Sequence, residues 1–262
     1  MFVITKTRRV VLLIGAIAIV GIFAFFGWSI APLRKPAPVL SSTKILDREG
    51  GLLYEVSAEQ GLRTFVSLDR VAPSFLQALI ASEDKRFYTH HGVDWMASAR
   101  AFKDLVRHRR IVSGGSTLEQ QLIKMRYFSG RPRSFLQKSR EAVGALYWSS
   151  THTKQETLTE YVNTVFFGNH ANGIEAAAQG YFHTRAAELG LGQGAFLVGI
   201  LPAPSEYDPY RARAKAQKQQ KLVLDRMVES GYITHEDRRM ALEVPVELFP
   251  QRHDIQDRKS VV

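Results

Sequence analysis

The stretch Pro73-Ser-Phe-Leu-Gln-Ala-Leu-Ile-Ala-Ser-Glu-Asp-Lys-Arg-Phe-Tyr-Thr-His-His-Gly-Val-Asp94 begins as a helix and ends as a charged turn. On a 3.6-residue period, Leu76, Leu79, Ile80, Glu83 and Phe87 fall on one stripe. Four of the five are apolar, and Glu83 is a carboxylate set among them. An unpaired carboxylate is costly to bury, so it must find partners or hold its proton more tightly. Both outcomes occur at catalytic sites. A structural Glu paired with Lys85, Arg86 or a distant Arg satisfies the stripe equally well.

The next informative stretch is Ser113-Gly-Gly-Ser-Thr-Leu-Glu-Gln-Gln-Leu-Ile-Lys124, a Gly-rich turn feeding a helix. Ser116 and Glu119 fit a capping box. Thr117, Gln120, Gln121 and Lys124 share one polar face between the apolar flanks Leu118, Leu122, Met125 and Ile123. That pattern suits the wall of a cleft. Amides, a hydroxyl and an ammonium there can hold sugar hydroxyls or phosphate oxygens, helped by the N–H groups of the helix start. A capped surface helix is the plainer alternative. Downstream, Arg133 to Trp148 opens another helix with Phe135, Leu136, Val143 and Leu146 as its expected core face. Glu141 lies opposite, with Gln137, Lys138, Gly144 and Ala145. It is either a ligand-facing carboxylate or one half of an i,i+3 pair with Lys138 on a wet face.

Around these motifs the chain divides readily. It has 262 residues, enough for one large or two modest domains, and carries 35 Lys plus Arg against 25 Asp plus Glu, a net charge of +10. That excess suits an anionic partner. No cysteine is present, which excludes disulfides and thiolate-ligated metals. Val10 to Ala31 carries no charge over 22 residues, about the length a bilayer core requires. Trp28 lies near its end, and Lys6, Arg8 and Arg9 precede it, which points to an N-in, C-out anchor rather than a cleaved signal peptide. The expected divisions are a cytoplasmic N-terminus (1–9), a transmembrane helix (10–31), a proline-containing linker (32–43), one folded domain (44–250) and a polar tail (251–262). With the bulk of the chain outside the cytoplasm, nucleic acid is not an expected partner. Lys44 to Tyr54 reads as strand, turn and strand, with Thr64 to Ser67 as a third strand. Val93 to Arg110 reads as a helix with Trp95, Met96, Ala99, Phe102, Leu105 and Val106 on its apolar side. Residues 116–199 and 215–240 read as helical, with a break at Ser230-Gly231.

These motifs resemble those of the peptidoglycan glycosyltransferases of family 51, the transglycosylase domains of class A penicillin-binding proteins and their monofunctional relatives. Glu83, Asp84, Phe87, His90 and Gly92 match the first motif. Gly114 to Lys124 match the second, and Gln137-Lys-Ser-Arg-Glu141 aligns with the third. Tyr161-Val-Asn163 and Phe167-Gly168 are similar to the fourth, and Gly173 to Ala178, Tyr181-Phe182 and Leu201 to Ser205 are similar to later family segments. The resemblance implies a mainly α, lysozyme-like fold with a membrane-associated lobe, a small N-terminal β segment and one N-terminal transmembrane helix. It implies a membrane-anchored, extracytoplasmic enzyme of a bacterial inner membrane that polymerises lipid II onto a growing glycan strand with inversion. Glu83 would be the general base, and Glu141 would assist departure of the pyrophosphate, directly or through a divalent cation, Mg or Mn. No organic cofactor is implied. Asp84, Arg86, Phe87, His90, Gly115, Ser116, Thr117, Gln120, Gln121, Lys124, Arg133, Lys138 and Asn163 would bind substrate. Other cell-wall synthesis proteins are implied partners. The chain length suggests a monofunctional enzyme. Gln137, Met125, Thr159 and Gln193 depart from the family pattern. A lipid II-binding or scaffold member, or a lysozyme-like glycan-cleaving enzyme, remains an alternative.

Overall fold

A computed structural model describes residues 17–34, 43–46, 52–56, 62–108, 115–132 and 134–249. Arg133, Gly114, the turn at 48–51, most of the linker and the tail expected over 251–262 lie outside them. The molecule is mainly helical. Residues 17–30 form α1, which runs into a 3-10 turn at Ala31–Arg34. No helix among the described residues is long and apolar enough to cross a membrane, and residues 10–16 of the expected span fall outside those residues.

The antiparallel pair β1 (Thr43–Leu46) and β2 (Leu52–Val56) forms where the strand-turn-strand pattern places it. The third strand differs: β3 is Leu62–Arg63, pairing in parallel with β4 (Ala171–Asn172). The expected segment Thr64–Ser67 continues without strand pairing because the Asn163 side chain holds its backbone. The amide donates to Val66 O and accepts from Val66 N, both at 2.8 Å.

Helix α2 (Pro73–Glu83) starts with Pro at its first position, where a missing N–H is harmless. It ends when Asp84 leaves helical backbone geometry. The helix is therefore shorter than the stripe suggested. Phe87 is fully buried from the following turn, not from the helix. Inward-facing residues on α2 include Phe75, Ala78, Leu79 and Ile80, and each large apolar side chain so buried contributes roughly 1.5–3 kcal/mol. They pack on α8 (Leu191–Ile200) and α9 (Arg213–Glu229). Helix α8 is the centre of the core, buried from Gly194 to Ile200. Gly199 lets it cross α9 closely, since a Cβ there would lie 2.9 Å from the Gln220 nitrogen. Helix α10 (His235–Glu243) follows the Ser230-Gly231 break.

Helix α4 (Leu118–Tyr127) packs between α5 (Phe135–Thr151) and α6 (Lys154–Thr164), and α7 (Ile174–Phe182) lies against α6. Two expected core faces turn outward at their N-terminal ends, while Val143, on the same expected face of α5, is buried. Phe135 is 89% exposed and Leu136 53%. On α3 (Trp95–His108), Trp95 is 67% and Met96 61% exposed, and Ala99 is exposed too. Periodicity shows which residues share a face, not whether protein covers it. The buried side of α5 carries Gln137, Arg140, Glu141, Val143, Gly144, Ala145 and Trp148. It is closed partly by α1, whose following residue Leu33 lies against Gly144.

Candidate active site

The end of α2 and the start of α4 are joined through the turn at 84–94. Asp84 is buried; its Oδ2 accepts from Leu118 N at 3.0 Å, and both its oxygens lie 2.9 Å from His90 Nε2. Arg86 donates through Nε to Asp94 Oδ2 at 2.7 Å and through Nη2 to Oδ1, and Asp94 caps Ala97 N at 2.7 Å. The Arg86 hydrogen bonds hold the Asp94 carboxyl down to about 2. Gly92 has φ +82°, and a Cβ there would meet Ala145 O at 2.2 Å. Its carbonyl accepts from Thr117 Oγ1 at 2.6 Å. Glycine at this position thus lets the turn, the α4 N-terminus and the α5 backbone meet.

The cap of α4 is one residue later than Ser116-x-x-Glu119 implied. Thr117 Oγ1 accepts from Gln120 N at 3.2 Å, and Gln120 Oε1 accepts from Thr117 N at 3.1 Å. Both frames have the right residue types; the Thr117 frame also aims Leu118 N at Asp84. The shift frees two groups. Ser116 Oγ accepts from Lys138 Nζ at 2.6 Å, and Glu119, fully buried, accepts from Lys154 Nζ at 2.6 Å. It also turns Thr117 and Gln120 inward, where they are buried, so the expected four-residue polar face is reduced to Gln121 and the exposed Lys124.

Glu83 keeps partial exposure at the end of α2 with protein around most of it. Burial raises its proton affinity; a hydrogen bond from Gln121 and the charge of Arg226 oppose this, and Asp84 adds to it. Gln121 Nε2 donates to Glu83 Oε2 at 2.8 Å, and Gln121 Oε1 accepts from Tyr161 OH at 2.8 Å. Because the phenol donates to the amide oxygen, the amide NH₂ is turned toward the carboxylate. Arg226 Nη1 donates to Ser82 O at 3.3 Å.

Glu141 is buried, and its Oε2 accepts from Lys138 Nζ at 3.3 Å, so the i,i+3 pair forms but not on a wet face. Lys138 thereby links Ser116 to Glu141. The remaining expected site residues divide by contact. Phe87 supports the Lys154 ammonium 4.3 Å from its ring centre. Gly115 permits close approach to α3, where a Cβ would lie 2.9 Å from the Ala101 Cβ. Asn163 is buried and holds Val66 rather than facing a cleft. Arg133 lies outside the described residues. Sequence reading named Tyr161 as a motif residue but gave it no place in the site, and it missed Lys154 and Arg226, since each of the three arrives from a distant helix. Among the described residues, the group with several metal-capable ligands is Asp84, His90 and Glu119, not Glu141. There the Lys154 ammonium already supplies positive charge.

The sequence profile of the transglycosylase family matches residues 49–228. The chain belongs to this family, glycosyltransferase family 51. Among its relatives, penicillin-binding protein 1A of Rickettsia bellii is 32% identical over 260 residues, covering 97% of this chain and 32% of that one. The protein of the same name from Aquifex aeolicus is 36% identical over 205 residues, covering 78% of this chain and 28% of that one. That from Streptococcus pneumoniae is 34% identical over 239 residues, covering 90% and 33%. The crystal structure of penicillin-binding protein 1A from Haemophilus influenzae aligns with a TM-score of 0.48 and 22% identity, over 83% of this chain and 22% of that one. This transglycosylase chain thus spans about a third of the length of these relatives. Their greater length lends no support to the expectation of a monofunctional enzyme.

Proposed function

We propose that this chain is a peptidoglycan glycosyltransferase that polymerises lipid II, with Glu83 as general base. The observation that carries the proposal is the Glu83 carboxylate: burial raises its proton affinity, and the Tyr161–Gln121 pair fixes its orientation. A base that works near neutral pH needs such a raised affinity. Glu83 takes the proton from the acceptor 4-hydroxyl as that oxygen attacks the donor anomeric carbon. The polyprenyl pyrophosphate leaves from the opposite face, giving inversion. Lys138, held between Ser116 and Glu141, and Lys124 would neutralise the charge that develops on the leaving group. Glu141 would be the residue to hold Mg²⁺ or Mn²⁺, and it would have to share its carboxylate with the Lys138 ammonium that it already accepts from. Such an ion would supply charge neutralisation at the pyrophosphate.

The proposal includes an N-terminal membrane anchor and an extracytoplasmic catalytic domain. The charge-free run from Val10 to Ala31 and the exposed Trp95, Met96, Phe135 and Leu136 support it. The full chain in detergent, given lipid II, should produce glycan strands and release polyprenyl pyrophosphate. Absence of strands across pH and divalent cations would remove the proposal. Binding of lipid II without turnover would favour a weakened, lipid II-binding member, a reading motivated by the uncharged, buried Gln137 where the resemblance expects Arg.

A further inference from the structure

Arg140 is 4% exposed, yet no carboxylate among the described residues pairs with it. Its guanidinium lies 3.6 Å from the Trp28 ring centre and 4.6 Å from that of Phe128. Nη2 donates to Trp28 O at 3.4 Å, and Nε has no partner. Burial lowers its proton affinity, and the charged neighbour that acts on it is another cation, Arg131. Two further buried donors lack partners at the same seam. Gln137 Nε2 lies three residues earlier on α5, and Ser29 Oγ is adjacent to Trp28. A guanidinium and an amide NH₂ can only donate, so the group missing from this seam is an acceptor. Water would satisfy the hydrogen bonds but leave a buried cation without a counter-charge. A phosphate supplies both, since two of its oxygens can accept side by side from the planar N–H fork of the guanidinium.

We propose that the seam between α1 and α5 is a phosphate-binding site, in which Arg140 and Gln137 donate to the phosphate oxygens. This site is distinct from the Lys138–Glu141 pair. Arg140 points roughly 100° round α5 from Glu141 and roughly 160° from Lys138, and Gln137 lies between Arg140 and Glu141, about 40° from Glu141. Arg140 faces Trp28 and Gly144 faces Leu33, whereas Lys138 reaches Ser116. The phosphate belongs either to a phospholipid headgroup, which the position at the end of α1 favours, or to a soluble anion. Either source would tie α1 to the catalytic domain by completing their shared seam.

The test is the thermal unfolding midpoint of the full chain in phosphate-free dodecyl maltoside at fixed ionic strength. It is titrated separately with inorganic phosphate and with phosphatidylglycerol. The midpoint should rise saturably. A rise with both probes, or with phosphate alone, identifies the phosphate group itself as sufficient. A rise with phosphatidylglycerol alone identifies the lipid headgroup. Arg140→Met and Gln137→Leu should each weaken the apparent affinity at least about tenfold, whereas Lys138→Ala should leave it unchanged. If Arg140→Met does not fold, Gln137→Leu decides. The proposal is overturned if neither probe gives a saturable rise, if the affinity survives the seam variants, or if Lys138→Ala weakens it equally.

Discussion

Glu83 is held by a chain of hydrogen bonds that begins at a phenol. Tyr161 is 1% exposed and donates to Gln121, whose amide then presents its NH₂ to Glu83. Removing the phenolic oxygen leaves the amide free to turn and weakens a bond that favours the ionised carboxylate. Tyr161→Phe should therefore move the acid limb of the pH–rate profile to higher pH while KM for lipid II stays nearly constant. Its stability loss should be about 1 kcal/mol, the net worth of one hydrogen bond. An unmoved acid limb would show that Tyr161 is only structural. The Glu83 carboxylate itself was legible in the sequence as an acid on an apolar stripe. Tyr161 was legible only as a motif residue without a role, and Lys154 and Arg226 were not, because local period and spacing carry no information about which distant helix meets the site.

At the scale of elements, the motifs converge on Gly92 and the α4 cap. Gly92→Ala places a Cβ 2.2 Å from Ala145 O in a left-handed backbone conformation. Chemical denaturation should show a loss above about 3 kcal/mol, well beyond an ordinary surface substitution. Thr117→Ala should cost about 1 kcal/mol as a lost N-cap, with more from the lost bond to Gly92. Ser116→Ala should leave stability close to wild type because Ser116 is not the cap. Equal losses in both variants would contradict the assigned register. The sequence held both Ser116-x-x-Glu119 and Thr117-x-x-Gln120, and only the contact between Leu118 N and Asp84 selects the second. Helix α5 shows the other limit of local patterning. Its period groups Phe135 with Leu136 correctly, but both are exposed, and charged Arg140 is buried by Trp28 from over a hundred residues away.

Across the whole molecule, the helical class, the break at Ser230-Gly231 and the β1–β2 pair follow the sequence pattern closely. The exposed apolar residues at the starts of α3 and α5 join a net charge of +10. Vesicles of phosphatidylglycerol should therefore retain the chain more strongly than phosphatidylcholine vesicles, with the difference shrinking as salt rises. Exchanging Trp95, Met96, Phe135 and Leu136 for Ser should weaken retention on both, while equal retention would assign these residues no membrane role. Stability should also report on Glu83. Its proton affinity is higher folded than unfolded, so its contribution is full below the unfolded value and is lost as pH rises through the folded one. Glu83→Gln removes that loss, so the variant should be at least as stable as wild type at neutral pH.

The most direct measurement is lipid II polymerisation by wild-type and Glu83→Gln chains across pH, with folding of each checked by thermal unfolding. The account predicts glycan strands from wild type, with an acid limb above the ordinary glutamate range. It predicts none from a fully folded Glu83→Gln. Strand synthesis by the folded variant at a wild-type rate would contradict the assignment of Glu83 as the base.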